Sequence, residues 1–144
     1  MREIESRLLT EPEGIEILAR YGLPYPEHGL ARSAEEAAAI AEGIGYPVVL
    51  KVVSPDIAHK SDAGGVITGI RDQAALACSY PALLDRVTRS NPAARIDGVL
   101  VCAQAEPGLE LVAGGLVDDI FGPVVMFGIG GIYVEAYRDV AFRV

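Results

Sequence analysis

The chain reads as an α+β fold, a mainly antiparallel sheet with flanking helices, on three observations. Two helix-start signatures lie in the N-terminal third, Thr10-Glu11-Pro12-Glu13 and Ser33-Ala34-Glu35-Glu36. Apolar, strand-like runs then crowd the rest of the chain, with one helical stretch among them. Strands and helices alternate too rarely for a doubly wound parallel sheet, which places the helices on one side of the sheet.

Each element follows from local chemistry. In Thr10-Glu11-Pro12-Glu13 the Thr10 hydroxyl and the Glu13 carboxylate can cap each other's backbone N–H groups. Ile15, Leu18 and Ala19 follow at helical spacing and Gly22 suits the C-terminal cap, which predicts a helix from Glu11 to Tyr21. The same device at Ser33 opens a helix from Ala34 to Ile44, stopped by Gly45 and Pro47. Pro47 to Val53 is a strand whose near-continuous apolar run indicates burial on both faces. Gly65 to Arg71 reads as its antiparallel neighbour. A helix is expected from Asp72 to Arg89, kinked or split at Pro81. Asn91-Pro92 is a turn. Ile96 to Gln104 and Leu109 to Leu116 are strands joined across Glu106-Pro107-Gly108, and Pro123 to Phe127 is another. The chain closes on an apolar, strand-like stretch, Val140 to Val144, where domains usually end in polar, frayed residues, so a longer unit is expected.

Composition narrows the function classes. A length of 144 residues allows one domain. Twelve basic against 20 acidic residues give a net charge of −8. Such a chain repels nucleic acid and anionic lipid, while a local basic pocket for one small phosphate ligand stays open. A hydrophobic fraction of 51% and a mean hydropathy of +0.31 exceed what disorder allows. The two cysteines, Cys78 and Cys102, form neither a disulfide framework nor a metal-ligand spacing; they fit a reducing compartment and read as small core residues. Met1 to Glu5 has no apolar signal region, and the longest uncharged stretch, Ile120 to Val134, is too short and too glycine-rich to cross a membrane. A cytoplasmic protein is expected.

Few residues carry chemistry. Lys51 interrupts the buried strand and needs a partner, a route to water or an anionic ligand. It reads either as a point charge for a nucleotide phosphate or as an edge-strand lysine. The segment Ser54 to Gly65 gathers Asp56, His59, Lys60, Ser61 and Asp62 and ends in Gly64-Gly65. An imidazole is a nucleophile and acid/base near neutral pH, and the two glycines would leave N–H groups free for an anion. The alternative is a solvated hairpin connection. Glu110, between Leu109 and Leu111, could meet a ribose hydroxyl or water. Phe127-Gly128-Ile129-Gly130-Gly131 lacks the full dinucleotide fingerprint; it reads as a turn bringing backbone close to a ligand or another strand. His28, in Pro26-Glu27-His28-Gly29, is expected in a turn, exposed and uninvolved.

Together these blocks resemble a known family. Tyr46 to Asp56, His59-Lys60-Ser61-Asp62, Gly64-Gly65-Val66, Gly98 to Val101, Pro107 to Leu111, Phe121 to Gly128, Gly130-Gly131-Ile132, Val134-Glu135 and Asp139 to Arg143 occur in the order seen in the ATP-grasp domain of the NDP-forming acyl-CoA synthetases. These include ADP-forming acetyl-CoA synthetase and, more distantly, succinyl-CoA synthetase. The resemblance covers the chain from about Leu9 to Val144 and implies an ATP-grasp-like fold. Residues 1–98 would form the N-terminal ATP-grasp subdomain, and 99–144 the start of an incomplete second one.

The resemblance also implies a function. Such enzymes interconvert acyl-CoA, ADP and phosphate with acid, CoA and ATP, passing a phosphoryl group by way of histidine. His59 would be the relay histidine. Lys51, Ser61, Gly64 and Gly65 would hold the nucleotide's phosphates, the backbone at Val101, Cys102 and Ala103 the adenine, and Glu110 the ribose. Glu135 and Arg143 would face the phosphates. ATP or ADP and Mg²⁺ are the implied cofactors, with the metal ligands outside this chain. A CoA-binding, acyl-phosphate-forming subunit or domain is the implied partner, and self-association of the apolar C-terminal third is another expectation. Cys102-Ala103 replaces the polar pair common in the family, Val117 stands where a basic residue is common, and Pro81 interrupts a usually continuous helix. With the metal ligands and the CoA-binding, acyl-phosphate-forming domains expected outside this chain, incomplete activity of the chain alone is expected. The alternatives are a non-catalytic ATP-grasp-like module of an acetyltransferase-type multidomain protein and an inactive truncated product.

Overall fold

A computed structural model describes residues 7–131 and 140–143. In chain order these form α1 (Glu11–Arg20), β1 (His28–Ala31), α2 (Ala34–Ile44), β2 (Val48–Val53), β3 (Val66–Ile70), α3 (Gln73–Ser90), β4 (Gly98–Ala103), β5 (Leu111–Asp118), β6 (Gly122–Ile129) and β7 (Val140–Arg143). The chain divides into two compact units after Ala105, beyond the expected boundary near residue 98. The reason is β4, which is an inner strand of the first sheet rather than the opening of the second unit.

The first unit is a four-stranded sheet of order β1-β4-β2-β3, antiparallel throughout. Alternation along β2 and β4 sends side chains to both faces. Val48, Leu50, Val99 and Val101 pack with Ala37 and Ala41 of α2 and Leu76, Tyr80 and Leu83 of α3. Val53, Leu100 and Cys102 point the other way and pack with Ile15 of α1 and with Tyr25 and Leu30. The expectation that the helices share one side of the sheet is therefore corrected: α1 covers the face opposite α2 and α3. That is the physical source of the continuous apolar run in β2.

The helix ends follow their sequence. Thr10 N and Oγ1 both donate to Glu13 Oε2, at 2.8 and 2.9 Å. Ser33 Oγ accepts from Glu36 N at 3.2 Å, while the Glu36 carboxylate accepts from Arg32 N at 2.7 Å rather than from the Ser33 N–H. Ser33→Ala is expected to cost about 1 kcal/mol of stability, the usual worth of such a cap, measured by urea unfolding at neutral pH. Helix α3 runs unsplit through Pro81. Its buried stripe of Leu76, Tyr80, Leu83 and Val87 anchors both halves to the sheet, and packing outweighs the missing backbone donor. Cys78 falls off that stripe and is exposed, whereas Cys102 is buried, so only one of the two cysteines is a core residue. His28 and Gly29, read as part of the turn Pro26-Glu27-His28-Gly29, open strand β1 instead, because β4 offers an edge for them to pair.

In the second unit β5 pairs with β6 and β6 with β7, all antiparallel. Strands β4 and β5 are consecutive but lie in different sheets, so Glu106-Pro107-Gly108 does not close a hairpin. Asp118 Oδ1 accepts from the N–H groups of Ile120 and Phe121, both at 2.9 Å, and fixes the β5–β6 turn. Gly130 N donates to Glu110 O at 2.8 Å. A Cβ on Gly130 would stand 2.9 Å from the Leu111 carbonyl carbon. The glycine run thus serves a close backbone approach to the start of β5.

Candidate functional site

The polar centre of the first unit lies on the α1 face of the sheet. Lys51 is the one polar residue of β2, whose other five positions are buried. Its parity places it with Val53 toward α1. Its Nζ donates to Glu11 Oε1 at 2.6 Å and to the Tyr25 hydroxyl at 3.1 Å, and lies 5.6 Å from the Tyr25 ring centroid. The Tyr25 hydroxyl in turn donates to Glu11 Oε1. Lys60 Nζ donates to Glu11 Oε2. Two ammonium groups and a phenol therefore converge on one carboxylate. The side chains of Lys51, Lys60 and Glu11 are 28%, 17% and 22% exposed, so the cluster is shielded but reachable.

Electrostatics agree with the geometry. Burial pushes the Glu11 carboxyl up, but hydrogen bonds from Lys51, Lys60 and Tyr25 outweigh it and hold the group at about 2. Burial, reinforced by the Glu11 carboxylate, pushes the Tyr25 phenol well above its ordinary value. Burial likewise raises the Cys102 thiol, which borders the same cluster.

His59 is exposed, one residue before Lys60, in the segment between β2 and β3. The Lys60–Glu11 pair therefore fastens the histidine-bearing segment beside Lys51. Ser61 is exposed as well. Gly64 sits at φ +68, where a Cβ would meet the Arg86 side chain at 2.3 Å, and a Cβ on Gly65 would meet Val52 at 2.5 Å. Both positions need glycine. The sequence predicts N–H groups free for an anion here, and the structure corrects that. Gly64 N donates to Ser61 O at 3.0 Å and Gly65 N to Lys60 O at 2.7 Å, so the turn satisfies itself.

Val101, Cys102 and Ala103 lie in β4, between β1 and β2. Val101 is fully buried, paired with Gly29 of β1 and Leu50 of β2. The Cys102 side chain faces Tyr25, and Ala103 N donates to Glu27 O at 2.8 Å. In the second unit Glu110 is exposed beside Gly131, and Arg143 is exposed with Nη1 donating to Phe142 O at 2.8 Å. Glu135 lies outside the described residues. His28 is exposed and its ring meets the Tyr25 ring edge-on at 5.1 Å.

Glu11 and Tyr25 escaped sequence reasoning as site residues, and Lys60 is read there only as one polar member of the Ser54 to Gly65 segment. The signal for one of them was available, since a lysine in a buried strand demands a counter-charge. Nothing local said that the counter-charge would come from 40 residues upstream. A cleft of about 570 Å³ between α2 and α3 is lined by alanines with Glu35, Glu42 and Gln73. It has two carboxylates and no cation, belongs to the other side of the sheet, and does not suit a phosphate. Among the described residues no group of three potential ligands could hold a metal ion, and no helix is long and apolar enough to cross a membrane.

Comparison with known proteins defines the class to which this fold and site belong. Residues 1–144 match ATP-grasp_5, an ATP-grasp domain, and the chain belongs to that family. It is 46% identical over 140 residues to the beta subunit of ADP-forming acetate–CoA ligase I of Pyrococcus furiosus, covering 97% of this chain and 60% of the subunit. Among solved structures, the dinucleotide-forming acetyl-coenzyme A synthetase 1 of Ca. Korarchaeum cryptofilum, in complex with coenzyme A, Ca-AMPCP and HgCl⁺, superposes with a TM-score of 0.93 at 46% identity, over 99% of this chain and 62% of that one. The same synthetase with coenzyme A and Mg-AMPPCP, its phosphohistidine segment pointing towards the nucleotide-binding site, matches with a TM-score of 0.75 at 40% identity, over 96% and 57%. The chain thus spans about three fifths of the length of these relatives.

Proposed function

We propose that this chain is the nucleotide-binding part of an ADP-forming acyl-CoA synthetase, cytoplasmic, in which acyl-CoA, ADP and phosphate are interconverted with acid, CoA and ATP. The observation that carries the reading is the convergence of Lys51 and Lys60 on one carboxylate, which holds the segment bearing His59 beside the strand lysine. The similar Korarchaeum synthetase, with Mg-AMPPCP bound and its phosphohistidine segment pointing towards the nucleotide-binding site, supports the reading.

In this mechanism Lys51 binds the nucleotide's phosphate as a point charge. Gly64 and Gly65 shape the turn that presents His59, and Ser61 lies within it. A ring nitrogen of His59 attacks the terminal phosphorus of ATP. The N–P bond forms as the P–O bond to ADP breaks, and ADP leaves with the electron pair. The resulting phosphoramidate passes its phosphoryl group onward to the acyl-phosphate-forming partner. The adenine lies against the end of β4 around Cys102 and Ala103. Roles for Glu110 at the ribose and for Glu135 and Arg143 at the phosphates rest on the family resemblance alone. Mg²⁺, when bound, neutralises charge developing on the transferred group.

Calorimetric titration with ADP and ATP, with and without Mg²⁺, tests this reading. Saturable binding is expected. Lys51→Ala is expected to weaken it by at least about tenfold, the worth of one charge-assisted contact. A folded chain whose affinity ignores the substitution overturns the assignment of Lys51.

A further inference from the structure

So far Glu11 and Lys60 only hold the His59 segment in place and Tyr25 has no role, yet the three are joined with Lys51 in one hydrogen-bonded cluster. We propose that Lys51, Lys60 and the Tyr25 hydroxyl together form one anion site for a diphosphate group, and that Glu11 is its built-in competitor, an internal anion that an incoming phosphate displaces.

The donor set is the first argument. Two ammonium groups and a hydroxyl meet the two oxygens of the Glu11 carboxylate. Phosphate oxygens accept from the same donors. The charge count is the second. Two partly buried cations share a single carboxylate, which leaves one positive charge over in a chain of net charge −8. The third is the state of the neighbouring loop. The N–H groups of Gly64 and Gly65 are already paired, so the lysines and not the loop backbone supply the positive field. The donors also come from separate elements: Lys51 from β2, Lys60 from the following segment, Tyr25 from the approach to β1. Convergence of that kind positions groups better than a run of adjacent side chains. A carboxylate in such a site keeps two like charges together while the anion is away, and repels the anion when it comes.

A purely structural clamp makes the opposite prediction. If Glu11 only holds α1 to the sheet, removing its charge loosens the lysines and weakens anion binding. If Glu11 competes, removing its charge strengthens binding even though the fold becomes less stable. The sign of one affinity change separates the two.

The inference rests on the nucleotide reading only for the identity of the anion, so inorganic pyrophosphate is titrated alongside ADP and Mg-ADP. Glu11→Gln keeps the shape and removes the charge. It is expected to bind pyrophosphate and ADP about tenfold more tightly than the parent chain, the low end of what one charged hydrogen bond is worth. Lys60→Gln, in the otherwise unchanged chain, is expected to bind both several-fold more weakly, because it removes a positive charge and with it a charge-assisted hydrogen bond; this variant decides the matter should Glu11→Gln fail to fold. Pyrophosphate affinity that is unchanged or lower in folded Glu11→Gln, or unmoved in Lys60→Gln, overturns the proposal. A gain for pyrophosphate with no binding of ADP by any variant upholds the competitor and overturns the nucleotide reading instead. Weaker binding of Mg-ADP alone in Glu11→Gln would make Glu11 a metal ligand and also end the proposal.

Discussion

His59→Asn is expected to abolish phosphoenzyme labelling when this chain, joined to the rest of an ADP-forming synthetase, is incubated with γ-labelled ATP and Mg²⁺. The parent protein should take up label that survives alkali and is lost in acid, the behaviour of a phosphoramidate. Asparagine keeps polarity and similar size but has no ring nitrogen with a lone pair to attack phosphorus. The His59 side chain is exposed and makes no hydrogen bond among the described residues, while its backbone carbonyl, which accepts from Ala63 N at 3.3 Å, is kept by asparagine, so the substitution should leave the unfolding midpoint unchanged. Loss of label therefore reports chemistry and not collapse of the fold. Lys51→Ala should leave labelling possible at raised ATP, because it removes affinity rather than the nucleophile. Label that persists in His59→Asn, or that resists acid, would remove the relay from this residue.

Most of the first unit was legible because its determinants are local. Caps at Thr10 and Ser33, the stop at Gly45-Pro47 and the apolar run of β2 fixed α1, α2 and β2 nearly to the residue. What failed was non-local. Strand β1 has only four residues and contains a glycine, and it exists because β4 stands beside it. The face taken by α1 could not be read from its own periodicity, since amphipathicity names a buried side but not the surface that buries it. Pro81 misled for a related reason: a local helix penalty was overruled by burial of Leu76, Tyr80, Leu83 and Val87. In the site, Lys51 declared a need for a partner, and His59 and the paired glycines marked the neighbouring turn. The family resemblance added roles to these residues without revealing Glu11, which had been read only as part of a helix start. A residue can serve the backbone at one scale and the site at another, and sequence spacing reports the first more plainly.

The second large effect concerns acid. The Glu11 carboxyl falls from an ordinary 4.5 to about 2 in the folded chain. A group held below its unfolded value stabilises the fold above that value and stops doing so as the pH drops through the folded one. The contribution is therefore complete above about pH 4.5, declines below it, and is gone near pH 2. Linkage puts the full amount at about 3 kcal/mol as an upper bound, which is a large part of the stability of a small domain. Glu13 is also held at about 2, by Arg7 and Thr10, but its pair with Arg7 lies at the surface, and its share should fade in moderate salt. Urea unfolding between pH 7 and pH 2.5 should show a steep loss in the parent chain. Glu11→Gln should start lower at pH 7, because Lys51 and Lys60 lose their common partner, and should then fall with a visibly shallower slope. The difference between the two curves should close as the pH approaches 2. Parallel curves would mean that the carboxylate is solvated in the folded chain, and that the two lysines are held by packing of their stems and not by its charge.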